Sequence, residues 1–235
     1  MNNANTIPGS SHALVPASDD VTGGGSGDHH HIHADLHIRP VRETAVHGEH
    51  PANDIMRSVG RVGIIGANSI GIGIARGVLN ADIPVTVFDK RDTLDQGLAL
   101  LRSAYETSVK SGTLAEDKRD RRLALFSATV KFHHLKDCDL IIEVMHIEAE
   151  VREKFFRWLD EIGKPSAVLV ANVSGASLDR VARFTRRPAD VLGLHFSGPD
   201  DLSESPGLVR GRDTSRETYA TAAGLLAEIG IIKAS

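Results

Sequence analysis

A glycine-rich turn near residue 66 is the first segment whose residue types could do chemistry. The segment R-V-G-I-I-G-A-N-S-I-G-I-G-I-A is typical of a buried strand that ends at Gly66, followed by a helix that begins near Ser69. Such a turn brings backbone N–H groups and the positive end of a helix dipole to one point, where a pyrophosphate binds. Gly66 would make the tight turn, and Gly71 would let the helix pack closely on the strand. The pattern predicts a dinucleotide site formed by Gly66, Asn68, Ser69, Ile70 and Gly71.

Two further positions define which dinucleotide would bind. Asn68 stands where the middle glycine of such a turn is usual, so its amide is expected in the path of the phosphate oxygens. Asparagine tolerates a positive φ, so the turn should form at a modest cost. Asp89 ends the next predicted strand 23 residues after Gly66, where a carboxylate accepts hydrogen bonds from ribose hydroxyls and repels a 2′-phosphate. This favours NAD over NADP, although Lys90 and Arg91 follow directly and weaken the preference.

The elements that must position this turn alternate along the chain. From about Val59, short β-branched runs alternate with longer helical patterns, as in βα units around a parallel sheet. The predicted strands are RVGII, PVTVF, DLIIEV, AVLVAN, VLGLHF and GLVRG. Three pairs have capping-box spacing and predict helix starts: Thr93 and Gln96, Thr113 and Glu116, Thr214 and Glu217. The fold class is therefore α/β, a doubly wound and mostly parallel Rossmann-type sheet over residues 58–235.

A further helix is predicted from about Glu148 to Leu159 by its apolar spacing. Val151, Phe155 and Leu159 recur at i, i+4 and i+8, so these three side chains are expected to pack on the sheet. The aromatic residues of this helix are expected in the core rather than at a cofactor.

Residues 1–57 differ in composition from the rest of the chain. They are rich in Gly, Ser, Asn, Asp and His without a regular apolar period, so they are predicted to be a disordered tail. Eight of the twelve histidines lie there. The run D-H-H-H-I-H-A-D-L-H lacks the spaced, scaffolded ligands of a folded metal site, so a solvated polar tail is favoured over loose Zn, Ni or Cu binding. No metal site is predicted.

The charge balance and the apolar pattern exclude several classes of function. The tail holds 3 of the 27 basic and 7 of the 31 acidic residues, which leaves 24 of each in the body. A neutral body argues against nucleic acid as a partner. No apolar run approaches a membrane span and the first residues do not resemble a signal peptide, so a cytoplasmic protein without a membrane partner is expected. The single Cys138 is expected to be a buried thiol in a reducing compartment.

Two further segments carry a resemblance to a known family. A-N-V-S-G-A-S-L occupies residues 171–178, and G-L-H-F-S-G-P occupies residues 193–199. They resemble the S-N-T-S-S-L and G-x-H-F-x-N-P segments of the 3-hydroxyacyl-CoA dehydrogenase family. The glycine turn, Asp89 and I-I-E-V stand in the same order, so the resemblance covers residues 61–235.

The resemblance implies an NAD-binding domain of an L-3-hydroxyacyl thioester dehydrogenase, with the acyl group carried by CoA or by an acyl carrier protein. It implies that His195 is the catalytic base and that Ser174, 21 residues earlier, orients substrate and nicotinamide. Imidazole suits the removal of a hydroxyl proton near neutral pH. Asn172 would fix the loop, and Arg152 would replace the family's basic contact to the nicotinamide ribose. Without the family spacing, a partly buried structural histidine would be favoured.

The sequence departs from the family pattern at several points. The glutamate that holds the catalytic histidine falls on Gly207, the acidic ribose contact on Ile147, and the Asn of the His-Phe segment on Gly198. The chain also stops near where the family's helical domain begins, so that domain is expected to be absent. The alternative is therefore a non-catalytic nucleotide-binding or partner-binding protein of the same fold. Surface that the helical domain would cover predicts a homodimer or a partner-dependent complex.

Overall fold

The computed structural model describes residues 56–173, 175–196 and 206–232. The strands are β1 Val62–Ile65, β2 Val85–Phe88, β3 Phe126–Thr129, β4 Leu140–Glu143, β5 Val168–Ala171, β6 Val191–His195 and β7 Gly207–Val209. The α-helices are α1 Ser69–Asn80, α2 Arg91–Lys110, α3 Glu116–Ala124, α4 Ala149–Ile162, α5 Gly175–Ala182 and α6 Arg216–Glu228. Short 3₁₀ helices span Phe132–Asp137 and Pro188–Asp190.

The seven strands form one sheet in the order β3-β2-β1-β4-β5-β6-β7. Strands β1 to β6 are parallel, and β7 is antiparallel to β6. The chain leaves β1 toward one edge of the sheet and returns to pair β4 on the other side of β1. Ligands of open α/β sheets bind at such a switch point, outside the carboxyl ends of the strands. The crevice above β1 and β4 is therefore where the fold can hold a ligand.

The predicted doubly wound, mostly parallel sheet is confirmed. All six predicted strands are present, and β3 is an additional strand that the sequence pattern did not predict. Its four residues, F-S-A-T, lie at the sheet edge, and only Thr129 is buried. A short edge strand with little apolar content gives no periodic signal, which is why it was missed.

Apolar side chains are buried on both faces of the sheet. Cys138 is fully buried, as predicted, and burial raises the pKa of its thiol to about 12. The predicted buried face of α4 is confirmed at Leu159 and Phe155 and is wrong at Val151. Phe156 and Leu159 pack in the core, whereas Val151 is 38% exposed and Phe155 is half-buried. Phe155 packs against the core cluster and stacks on Phe132 at a ring distance of 5.4 Å.

The capping-box predictions are also wrong in detail. Helix α2 begins after Lys90 and α3 after Ala115, so Thr93 and Thr113 cap neither helix. Helix α6 is capped by Ser215, whose side chain accepts the Thr218 N–H. The Thr214 hydroxyl donates instead to the Val191 carbonyl at 2.6 Å. Here a tertiary hydrogen bond replaced the local one that the spacing predicted.

The start of the described chain is tied to the amino end of the sheet. The Arg57 N–H donates to the Thr221 hydroxyl, and its guanidinium donates to the Ser166 carbonyl and pairs with Asp190 at 2.7 Å.

Within the part of the chain that the structure describes, none of the helices has the length and apolar character that a membrane span requires.

Candidate cofactor and active site

The glycine turn follows β1 and meets α1 at very close range. Gly66 has φ +116°, a region that L side chains rarely adopt. A Cβ added at Gly71 would overlap the carbonyl oxygen of Gly66. The first turn of α1 therefore lies directly against the turn, which is the geometry that presents helix N–H groups to a phosphate.

Asn68 differs from the sequence expectation in its backbone and in its side chain. Its φ is −71°, so the expected use of a positive φ is wrong. Its Oδ1 accepts the Gly71 N–H at 2.9 Å, and its Nδ2 donates to the Val144 carbonyl at 3.0 Å. Asn68 is thus the N-cap of α1 and links the turn to the end of β4. The Gly71 N–H, which was predicted to be open to a phosphate, is therefore already bound within the chain.

Asp89 lies directly after β2 and faces the glycine turn. It is only 7% exposed. One carboxylate oxygen accepts the Ala67 N–H at 2.8 Å and the other accepts the Lys90 N–H at 2.7 Å. A carboxylate has about four acceptor positions, so both oxygens can still accept from a ribose hydroxyl. The two backbone bonds orient the group for that purpose.

A cavity of about 520 Å³ opens at the carboxyl ends of β4, β5 and β6. It brings together three of the predicted site residues, Arg152, Asn172 and His195. Ser174, the fourth predicted residue of this region, lies outside the described residues. The other lining residues are Met145, His146, Ile147, Glu148, Val173 and Phe196. Most of these belong to the loop after β4, and that loop's position at the switch point was the signal that could have identified them.

His195 is the last residue of β6, and its side chain is exposed. Its partner across the antiparallel β6–β7 pair is Gly207. A Cβ at Gly207 would meet no heavy atom within 4 Å. Among the described residues, none forms a hydrogen bond with the imidazole of His195. The ring can reach the cavity, but no described carboxylate orients it.

A buried ion pair lies beneath the cavity. Glu143, at the end of β4, is 1% exposed and accepts the Arg152 Nε–H at 2.8 Å. Its other oxygen accepts the Met145 N–H at 2.7 Å. Burial raises the pKa of Glu143, and the charge of Arg152 and these hydrogen bonds oppose that rise. Glu143 was not among the predicted site residues, although an acidic residue that ends an apolar central strand was a usable signal.

The fold and the switch-point crevice define a Rossmann-type dinucleotide-binding protein. A family model described as "3-hydroxyacyl-CoA dehydrogenase, NAD binding domain" matches residues 61–233. The chain belongs to the 3-hydroxyacyl-CoA dehydrogenase family, and the matched region is that family's NAD-binding domain. The resemblance stated from the sequence is thereby confirmed.

Individual relatives agree with this assignment. Over 171 residues the chain is 33% identical to a 3-hydroxybutyryl-CoA dehydrogenase of Bradyrhizobium diazoefficiens, which covers 72% of this chain and 58% of that enzyme. A Mycobacterium tuberculosis 3-hydroxybutyryl-CoA dehydrogenase is 36% identical over 155 residues, 65% of this chain and 54% of the relative. The crystal structure of M. tuberculosis FadB2 superposes with a TM-score of 0.67 at 31% identity, over 75% of this chain and 63% of that one. The chain thus spans less than two thirds of each relative's length.

NAD is the cofactor of this family's domain, and the residues present fit it. A side chain at Gly71 would overlap the Gly66 carbonyl, and Gly66 has a positive φ that disfavours any side chain. Asp89 is held by backbone donors at the end of β2 with acceptor capacity to spare. Among the described residues, no group of three or more His, Cys, Asp or Glu could hold a metal ion.

Proposed function

We propose that the protein is an NAD-dependent dehydrogenase that interconverts a 3-hydroxyacyl and a 3-ketoacyl thioester of CoA. One observation carries the proposal: His195, Arg152 and Asn172 line a single cavity at the carboxyl ends of β4 to β6. The same chemistry is compatible with a second carrier of the acyl group, an acyl carrier protein.

The proposed cofactor contacts follow the glycine turn and the loops beside it. The first turn of α1, at Ser69 and Ile70, would approach the pyrophosphate, while the Gly71 N–H is already bound to Asn68. Asp89 would accept the hydroxyls of the adenosine ribose. Arg152 would donate to the nicotinamide ribose from the guanidinium hydrogens that its partners leave unused.

The proposed reaction needs one hydride transfer and one proton transfer. Bound NAD supplies the hydride acceptor. His195 takes the proton of the substrate's 3-hydroxyl as the C3–H bond breaks, so the alcohol becomes a ketone and the ring becomes imidazolium. The exposed side of the ring then returns the proton to water. Ser174 would hold the reacting oxygen by a hydrogen bond, and Asn172 would fix the loop that carries Ser174.

A second candidate is a non-catalytic nucleotide-binding or partner-binding protein of the same fold. Gly207 stands opposite His195, and no described residue orients the imidazole. The loss of an orienting carboxylate can cost about 10⁴-fold in rate in a serine-protease triad. Such a protein would bind NAD(H) without turnover.

One experiment separates these functions. NADH is titrated into the protein while energy transfer from Trp158, the single tryptophan of the chain, to the bound nucleotide is followed. Acetoacetyl-CoA is then added to the same cuvette. Binding with turnover supports the dehydrogenase, binding without turnover supports the second candidate, and the absence of binding contradicts both.

A homodimer or a partner-dependent complex stays part of the proposal. Trp158 is 47% exposed and Val151 38% exposed, two turns apart on α4, and exposed apolar side chains of this size favour an interface. Light scattering of the full chain tests this, since a monomer at high concentration would contradict self-association.

A further inference from the structure

Glu143 connects three segments that line the cavity. Its carboxylate accepts the N–H of Met145, in the loop after β4, at 2.7 Å. It accepts the Nε–H of Arg152, on α4, at 2.8 Å. The backbone of Asn172, after β5, also lowers the pKa of this carboxylate and so favours its charged form. Glu143 itself is 1% exposed and does not line the cavity.

Stability does not account for a carboxylate at this position. A buried ion pair pays a desolvation cost that its attraction often fails to recover, and apolar replacements are often as stable or more stable. The neighbouring strand residues Ile141 and Ile142 are buried apolar side chains, so an apolar residue would suit the end of β4 equally well. The carboxylate therefore points to a role in the cavity above it.

The ion pair determines what Arg152 offers to a ligand. The Nε–H of Arg152 is bound to Glu143, and its Nη2 donates to the Met145 carbonyl at 3.3 Å. No described residue accepts a hydrogen bond from Nη1, and the side chain is 14% exposed where it lines the cavity. With its charge balanced by Glu143, the guanidinium presents directed N–H donors with little net charge. Such donors suit neutral hydroxyl or carbonyl oxygens more than free anions.

We propose that Glu143 is a positioning residue that acts through Arg152, aligning its donors with a neutral hydroxyl-bearing ligand group such as a nucleotide ribose. The identity of that ligand rests on the proposed function. Glu143 touches neither cofactor nor substrate. Glu143 acts indirectly: it fixes the loops after β4 and β5 and balances the charge of the Arg152 guanidinium, and these groups would contact the ligand.

The test uses Glu143→Gln, which keeps the side-chain size and removes the charge. We expect the Kd for NADH to rise at least tenfold, and inhibition of NADH binding by inorganic phosphate to become stronger because Arg152 is no longer neutralised. Arg152→Ala should raise the Kd similarly, and the double variant should be no worse than either single one, since one residue acts through the other. Additive effects, or an unchanged Kd, would overturn the proposal.

A matched control removes a different buried ion pair. Asp190→Asn breaks the pair with Arg57 at the amino end of the sheet, and should lower stability while leaving the NADH Kd within twofold. An equal rise in Kd for Asp190→Asn would show that Glu143 has only a structural role. If Glu143→Gln does not fold, Glu143→Asp replaces it, with an intermediate rise expected in Kd and an unchanged Kd contradicting the proposal.

One readout does not depend on nucleotide binding. In the free protein, the Arg152 Nε–H should give a slowly exchanging NMR signal that Glu143→Gln abolishes. If wild-type protein binds no NADH, the proposed function fails, while this signal still tests the coupling of Glu143 to Arg152. A fast-exchanging Nε–H in the wild type would contradict the coupling.

Discussion

The glycine turn and Asp89 differ sharply from the region around His195 in how their polar groups are satisfied. Asn68 is bonded through both amide atoms, and both oxygens of Asp89 accept a backbone N–H. His195 is exposed, has no hydrogen-bond partner among the described residues, and faces Gly207 across the β6–β7 pair. The glycine turn and Asp89 are preorganised by the fold, whereas the chemistry proposed at His195 depends on very few groups.

This difference separates binding from chemistry. Preorganised groups do not have to be reordered when a ligand arrives, so substitutions near the turn should alter affinity in small steps. A reaction that depends on one proton acceptor should respond to its loss by orders of magnitude. The two regions should therefore be separable by mutation.

The largest effect is expected from His195→Ala. Removal of the base should lower turnover of acetoacetyl-CoA by about 10²- to 10⁴-fold, while the NADH Kd changes by less than twofold. Steady-state kinetics and the Trp158 titration measure the two effects. His133→Ala, at an exposed histidine of the 3₁₀ helix before β4, is the control. If His195→Ala turned over acetoacetyl-CoA as fast as the wild-type protein, the proposed mechanism would be wrong.

The next largest effect is expected from Gly207→Glu. The position has space for a side chain and lies directly opposite His195, where paired residues have their Cβ atoms about 5 Å apart. A carboxylate there should orient the imidazole and stabilise imidazolium, raising kcat about tenfold or more. Gly207→Gln, which lacks the charge, should raise it less. Equal rates for both variants would show that charge is not the missing element.

A smaller effect is expected from Asp89→Asn. The variant loses one acceptor oxygen and the negative charge beside the ribose, so the NADH Kd should rise about tenfold, which corresponds to about 1.4 kcal/mol. Binding of NADPH should weaken less or improve, because the repulsion of a 2′-phosphate is gone. Parallel titrations with both nucleotides measure this. A parent that prefers NADPH would contradict the assignment of Asp89.

The smallest effect is expected from Asn68→Gly. Release of the Gly71 N–H should tighten NADH binding by about threefold at most, while loss of two hydrogen bonds should lower the free energy of unfolding by about 1 kcal/mol. Asn68→Asp keeps an N-cap acceptor but adds a negative charge, so it should weaken binding. Weaker binding in Asn68→Gly would show that Asn68 contributes to the phosphate site.

Local patterns along the chain were enough to predict several parts of the protein. Alternation of apolar strands and helices predicted six of the seven described strands, because central strands that are buried on both faces, such as β1, β4 and β5, are near-continuous apolar runs. The spacing from Gly66 to Asp89 located the cofactor end of the sheet. The family resemblance named His195, Arg152 and Asn172, which the structure brings to one cavity.

Tertiary structure decided what depends on partners distant along the chain. The antiparallel pairing of β7 placed Gly207 opposite His195, a register that no local pattern specifies. The Thr214 hydroxyl turned to Val191 instead of capping a helix. Glu143 gained its role only when β4, α4 and the loop after β5 came together around it. A polar group seeks the best available partner in three dimensions, and sequence spacing shows only the nearby candidates.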